Sequence, residues 1–217
     1  MQNKLEYTII PVTPFAQNCS VVWCAETQLA AVIDPGGEID RIRQFIAEAD
    51  LELDKILITH AHLDHAGGTA ELARSTGVPV IGPHKGDQFW IDALPEQCLR
   101  FGFEGETFTP DQWLNHGDKI SLGNLTFDVV HCPGHTPGHV VFVEQSQQFA
   151  IVGDVIFNGS IGRTDFPKGN TEDLISSIRD RLFPLGDAIE FIPGHGPMST
   201  FGEERVHNPF VADKRFG

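Results

Sequence analysis

Leu29-Ala30-Ala31-Val32-Ile33-Asp34 is apolar up to its last residue and is closed by Pro35-Gly36-Gly37, the pattern of a buried strand ended by a turn. Directly after it Ile39, Ile42, Phe45, Ile46 and Ala49 recur at the spacing of one helix face, so a strand runs into an amphipathic helix. Lys55 to Thr59 (KILIT) is a second apolar strand, Ala66 to Thr76 a helix stopped by Gly77, and Val78 to Ile81 a third strand. The first third of the chain therefore reads β-α-β-α-β.

Residues 83–118 are less regular. Beyond them the runs KISL, LTFDVVH, HVVFVE and QFAIVG follow one another with turn residues between, which favours antiparallel pairing. Leu174, Ile175, Ile178 and Leu182 line one face of a last helix, with Asn170 or Thr171 as its N-cap, and the strand AIEFI precedes Pro193. Two stretches that each pass from strands to helix predict two stacked sheets with helices outside both. No internal repeat, linker or low-complexity segment interrupts the chain.

Composition narrows the setting. A chain of 217 residues fits one ordinary domain spanning 1–217, able to bury a core without disulfides. Thirty acidic against fifteen basic residues leave a formal charge of −15, which repels nucleic-acid backbones and anionic lipid. Neither is expected as a partner, and no obligate protein partner is evident. Cys19, Cys24, Cys98 and Cys132 form no C-x-x-C pair, so reduced cytosolic thiols are expected. The start MQNKLEYTIIPVTPF has no signal-peptide core, and no run approaches the roughly 20 apolar residues of a membrane span. A cytoplasmic location is expected.

The chemistry concentrates in Thr59-His60-Ala61-His62-Leu63-Asp64-His65, directly behind an apolar strand, where open sheets place their sites. In extended backbone His60 and His62 project to one side and can converge on one cation, while Asp64 and His65 can face a second past the turn. An N-cap role would account for Asp64 alone and leave three imidazoles unexplained. Further ligands are expected at other strand ends, and His135 (in GHTPG), Asp154 (in GD) and His195 (in GHG) stand there. Their flanking glycines, with Gly67 and Gly68 behind the first cluster, suit tight turns and close approach. A lone His beside Gly is usually a turn residue; the joint occurrence carries the inference.

With these residues the chain resembles the metallo-β-lactamase superfamily, whose signature is T-H-x-H-x-D-H followed by a distant His, then Asp, then His. The resemblance implies an α/β fold, a four-layer αβ/βα sandwich covering nearly the whole chain. It further implies one metal on His60, His62 and His135, a second on Asp64, His65 and His195, and Asp154 bridging both. Within the superfamily, Asn18-Cys19, Ile33-Asp34-Pro35-Gly36, Gly134-His135-Thr136-Pro137-Gly138, Glu204-Arg205 and Asn208-Pro209-Phe210 are similar to the glyoxalase II group. That implies hydrolysis of S-D-lactoylglutathione to D-lactate and glutathione. Longer glyoxalase II enzymes carry a C-terminal helical extension that supplies much of the glutathione site; only residues 196–217 follow His195 here, as in a short bacterial form.

A water shared by two cations roughly 3.5 to 4 Å apart loses a proton near neutral pH and gives a hydroxide nucleophile. The cations can also polarise a carbonyl and stabilise the oxyanion, and Asp64 can orient the nucleophile as a catalytic residue. A thioester suits such a site, because a thiolate with a conjugate-acid pKa near 8.5 leaves without a dedicated general acid. Two divalent ions are expected; zinc leads, and iron or manganese also suits His and Asp ligands.

Several residues carry two readings each. Arg163 in Gly162-Arg163-Thr164-Asp165-Phe166 stands where the longer enzymes have a lysine-containing glutathione loop; it binds a substrate carboxylate or forms a surface ion pair. Asp34 orients a ligand imidazole or forms a turn. Phe89, Trp90, Phe101, Phe103, Phe108 and Trp113 wall a pocket or pack a core. His84, His116, His131, His139 and His207 are read as non-ligands.

The nearest rival is a persulfide dioxygenase, with the same fold, ligand set and a very similar Gly-Arg-Thr-Asp-Phe loop, but one iron on residues matching His60, His135 and Asp154. It would consume oxygen, which a thioesterase does not. A lactonase or β-lactamase would turn the same hydroxide on a ring, though an amide is the poorer leaving group. A non-catalytic metal-binding module would need only a closed four-ligand site. A nuclease would need a basic track that a charge of −15 opposes.

Overall fold

A computed structural model describes residues 4–213. Strands β1 (Leu5–Val12), β2 (Gln17–Cys24), β3 (Leu29–Ile33), β4 (Glu52–Leu57) and β5 (Val80–Ile81) form one sheet in that order. The first three pair antiparallel, and β3, β4 and β5 run parallel. Helix α1 (Ile39–Glu48) crosses from β3 to β4, and its buried Ile39, Ile42 and Ile46 are the face the spacing marks out. Between β4 and β5 come α2 (Leu63–Ala66) and α3 (Thr69–Thr76). The single helix expected from Ala66 to Thr76 is thus broken at Gly67-Gly68, the residue type that favours a helix interior least apart from proline.

The irregular stretch contributes two short helices, α4 (Gln88–Asp92) and α5 (Leu94–Arg100). The second sheet has the order β13-β12-β9-β8-β7-β6. Its strands β6 (Lys119–Leu122), β7 (Leu125–His131), β8 (Val140–Glu144) and β9 (Phe149–Gly153) are antiparallel neighbours, as the succession of strand runs implies. A small hairpin, β10 (Ile156–Phe157) and β11 (Ser160–Ile161), stands apart. Asn170 caps α6 (Thr171–Ser176), accepting from the N–H groups of Glu172 and Asp173 at 2.9 and 3.1 Å, and the helix continues to Leu182 with π-type pairing. β12 (Glu190–Pro193) then joins β9 in parallel, β13 (Ser199–Thr200) pairs with β12, and α7 (Phe201–His207) follows.

Three buried clusters show how the layers stack. One joins α1, α3, α4 and α5 to the outer face of the first sheet, through Ile42, Leu72, Ile91 and Leu94 against Val21, Val32 and Ile56. The central one fills the space between the sheets with Val22, Ala31 and Leu57 facing Phe127, Phe142 and Ile192. The third seats α6, its π continuation and α7 on the second sheet through Leu174, Ile178, Leu182 and Phe201. Helix, sheet, sheet, helix is the four-layer α/β sandwich that the sequence resemblance implies. All four cysteines are buried and unpaired. No helix among the described residues is long and apolar enough to cross a membrane.

The sheets touch at one end, where β2 begins and β4, β9 and β12 finish. Asn18 N–H donates to Gly194 O at 2.7 Å, Gly194 N–H to Gly153 O at 2.7 Å, and Val140 N–H to Thr59 O at 2.8 Å. Every expected ligand lies on a loop entering this seam or, for Asp64 and His65, in the short helix α2 beside it.

Phe142, fully buried on β8 between the sheets, tests how tightly the layers are packed. Phe142→Ala should lower unfolding free energy by about 3–5 kcal/mol, read from equilibrium urea unfolding. A loss under about 1 kcal/mol would mean that the space is not close-packed.

Candidate metal centre

The seven sequence-selected residues converge. Ligand atoms of His60, His62 and His135 lie within 4.8 Å of one another, as do those of Asp64, His65 and His195. Asp154 stands between the two groups. Its Oδ1 is 3.3 Å from His65 Nε2, and its Oδ2 is 3.5 Å from His135 Nε2 and 3.8 Å from His195 Nε2. One carboxylate thus reaches both sets. Asp64 lies in the first turn of α2, whose N-cap is His62 with no side-chain cap; its Oδ2 faces His195 Nε2 at 3.1 Å instead. The capping role is therefore not the one Asp64 fills.

Hydrogen bonds on the far side of the rings decide which nitrogen faces inward. Asp34 Oδ1 accepts the Thr59 N–H at 2.7 Å; Oδ2 accepts the Thr59 hydroxyl at 2.5 Å and lies 2.9 Å from His65 Nδ1. With its hydroxyl donated to Asp34, Thr59 Oγ1 is left to accept from His60 Nδ1 at 3.1 Å. His135 Nδ1 donates to Arg163 O at 2.7 Å and His195 Nδ1 to Phe15 O at 3.1 Å. These partners leave the Nε2 atoms of His60, His65, His135 and His195 directed at the centre, as ligating imidazoles require. Asp34, Thr59 and His65 also form a close group with His60, but the Asp34 oxygens are already engaged, so Asp34 orients rather than ligates. It is a turn residue as well, with φ at 55°, so both readings of it hold.

The polar atoms here fit a cation. His60 Nε2, His65 Nε2 and Asp154 Oδ1 are buried without a hydrogen-bond partner, a costly state that a ligated ion relieves. His62 Nδ1 and His135 Nε2 are 2.9 Å apart, a separation at which two lone pairs need a proton or a cation between them. Seven His and Asp donors in two groups joined by one carboxylate are suited to a dinuclear site.

The electrostatics point the same way. Burial pushes His62 down to about 3, and His135 adds to the effect; burial followed by neighbouring imidazoles holds His60 well below its ordinary value. Burial alone would raise Asp154, but His65, His135 and His195 outweigh it and hold the carboxyl far below the usual range. Asp64 follows the same pattern, its burial offset by His65 and His195. His65 is raised despite burial, because Asp154, Asp64 and Asp34 surround it. Ionised carboxylates beside His60, His62 and His135, whose imidazoles burial keeps neutral, give a site lined with lone pairs, which suits divalent ions.

Room for this crowding comes from glycine. A Cβ on Gly194 would lie 2.0 Å from Asp154 Oδ1 and 2.7 Å from His65 Cε1, so the residue before His195 has to lack a side chain. Asn18 pins the same loop, donating to Pro193 O at 3.0 Å and Gly196 O at 2.9 Å.

Around the centre, His62 is flanked by Trp90 and Phe166, with ring centroids 4.7 and 4.8 Å away. Of the six aromatics in the irregular stretch, Trp90 therefore borders the site. Phe101 is exposed and edges against Phe15. Phe89, Phe103, Phe108 and Trp113 pack on the first helical layer. Arg163 is exposed, bonded to Asp165 at 2.9 and 2.7 Å with its guanidinium 4.7 Å over Phe166. The ion pair, one of its two readings, is what the structure holds.

His84, His116, His131, His139 and His207 fall outside the ligand groups found among the described residues. His139 nonetheless matters: it is fully buried, stacks on His60 at 4.5 Å, and its Nε2 accepts the Asp154 N–H at 3.0 Å. The sequence marks it as a non-ligand, which holds, but not as a support for Asp154 and His60. Thr59 has no local signal of its own, because its role needs the tertiary partner Asp34.

The profile of the metallo-beta-lactamase superfamily matches residues 12–197. Hydroxyacylglutathione hydrolase GloC of Haemophilus influenzae is 50% identical over 208 residues, 95% of this chain and 98% of its own length. Among solved structures, the BLEG-1 B3 metallo-beta-lactamase has a TM-score of 0.87 at 33% identity, covering 98% of this chain and all of its own. TTHA1623 in a di-iron-bound form has a TM-score of 0.85 at 32% identity, covering 94% of this chain and all of its own.

Gly194→Ala isolates the crowding. The substitution should displace the Asp154 carboxylate and lower bound metal per chain, measured by elemental analysis, with the far-UV circular dichroism spectrum unchanged. Full metal content in a folded Gly194→Ala protein would contradict the geometry.

Proposed function

The chain belongs to the metallo-β-lactamase superfamily and is a metallo-hydrolase; from that premise we propose that it hydrolyses small thioesters, with S-D-lactoylglutathione giving D-lactate and glutathione. The observation that carries the substrate is the near full-length match, at 50% identity, to a hydroxyacylglutathione hydrolase. The paired ligand groups support the reaction class.

In this reading His60, His62 and His135 hold one ion, Asp64, His65 and His195 the other, and Asp154 both. Zinc is our assignment, and iron or manganese would suit the same donors. When bound, such ions act as Lewis acids that activate water and polarise the thioester carbonyl. The rest falls to the chain. Asp34 and Thr59 fix the rings of His65 and His60, so the donors stand pre-oriented and reorganise little on binding. Asp64 Oδ2 faces His195, leaving Oδ1 to accept a hydrogen bond from the attacking water and aim it. Trp90 and Phe166 cover His62 and keep bulk solvent off that side. The thiol leaves as a thiolate and needs no proton donor.

Arg163 is our candidate for a substrate carboxylate, exchanging Asp165 for it. We place the enzyme in the cytoplasm, where glutathione is kept reduced and where four unpaired buried thiols fit. The partner is a small molecule.

Asp154→Ala and His60→Ala should each lower bound metal and S-D-lactoylglutathione hydrolysis together, since each removes a donor. Full activity in either variant contradicts the assignment. Oxygen uptake recorded on the same wild-type sample decides against the dioxygenase rival: uptake with a persulfide, and no hydrolysis of the thioester, would overturn our reading.

A further inference from the structure

Asp87 is completely buried in the turn ahead of α4, on a segment that carries none of the seven cluster residues. Its carboxylate is divided between the two loops that supply the three-imidazole group. Oδ2 accepts the N–H of Ala61, between His60 and His62, at 3.1 Å, and the hydroxyl of Thr136, next to His135, at 2.8 Å. Oδ1 accepts the N–H of Gly138 at 2.6 Å. A Cβ on Gly138 would lie 2.6 Å from that oxygen and 2.4 Å from the Asp87 nitrogen, so the GHTPG loop closes onto Asp87 with no space to spare.

The two backbone N–H groups can only donate, and the Thr136 hydroxyl donates here as well. Only an ionised carboxylate offers acceptors to all of them; an asparagine would turn its NH2 toward at least one. Burial opposes that ionisation and pushes Asp87 up to about 6, while the bonds from Thr136, Ala61 and Gly138 and the charge of Lys168 pull it down. Such a group is expensive to bury unless its bonds are worth keeping. The loops are already joined at strand level by Val140 N–H to Thr59 O; Asp87 joins them beside the ring-bearing residues themselves.

We propose that Asp87 is a positioning residue that fixes His60 and His62 relative to His135 and thereby sets the affinity and coordination geometry of the three-imidazole cation site. The inference rests on the reading that those imidazoles hold a cation, and it goes beyond that reading by making the site depend on a residue that touches no ligand atom.

The test is a Co2+ titration of the metal-stripped full-length protein, followed by visible absorption and by competition with a chromophoric chelator. Wild type should bind two ions, and the step lost in His135→Ala marks the three-imidazole group. Asp87→Asn should weaken that step about 10- to 100-fold and alter its Co2+ spectrum, with the other step within about twofold. Thr136→Val removes one of the three donors and should weaken the same step by less. Wild-type affinity and spectrum in folded Asp87→Asn, whatever its urea stability, would overturn the proposal, as would equal weakening of both steps. If Asp87→Asn does not fold, an unchanged three-imidazole step in Thr136→Val overturns it alone. Wild type binding fewer than two ions would instead sink the metal reading on which this rests.

Discussion

Burial of Asp154 is the constraint around which the structure is arranged. Its carboxylate lies between His65, His135 and His195, with Oδ1 partnerless and out of reach of water. An isolated carboxylate in such surroundings costs several kcal/mol, and neutral imidazoles do not offset that. The stable solution is positive charge inside the cluster, supplied by a proton on His65 or by a divalent ion. His65 is held between three carboxylates, so the protein itself can supply the first; seven inward-facing donors make the second the stronger solution.

That demand explains the sandwich better than the hydrophobic core does. Apolar clusters bind helices to sheets and the sheets to each other, but they would tolerate many relative placements. Donors from β4, β9 and β12 meet only if the strand ends of both sheets reach one seam. The bonds from Asn18 to Gly194 and from Val140 to Thr59 fix that meeting, and the bond from Gly194 to Gly153 holds β12 to β9 beside it. Outer bonds from Asp34, Arg163 O and Phe15 O then select the ring nitrogens. Each layer of fixation is directional where the core is not.

Much of this was legible in the sequence because each ligand loop follows an apolar run, and apolar runs are local. The His60 to His65 cluster, His135, Asp154 and His195 could be chosen from one chain by that rule. The strands of the second sheet, α1 and the Asn170 cap were equally local signals. What escaped is non-local. β1 carries little local signal: it is an edge strand with mixed burial and Pro11 in it, so alternation is weak there. Asp87 lies in an irregular stretch, and nothing in His84-Lys85-Gly86-Asp87 indicates that its carboxylate will meet loops on both sides of the seam. Thr59 and His139 act through Asp34 and Asp154, partners that only the fold supplies.

A glutathione thioester carries carboxylates, and a protein with a charge of −15 repels it at long range. Screening at physiological salt confines that repulsion to roughly 8 Å, so charges close to the cluster outweigh the total. Two cations rest on aromatic rings that border or adjoin the cluster: Arg163 lies 4.7 Å over Phe166, whose ring packs on His62, and Lys168 lies 3.8 Å over Phe89, next to Trp90. The Arg163 pair with Asp165 is exposed on both sides, and such pairs hold with about 0–1 kcal/mol. A substrate carboxylate that brings its own apolar contact with Phe166 can therefore displace Asp165 without a large penalty. Under the proposed function the surface ion pair and a substrate anchor would be two states of one arginine rather than competing readings of it.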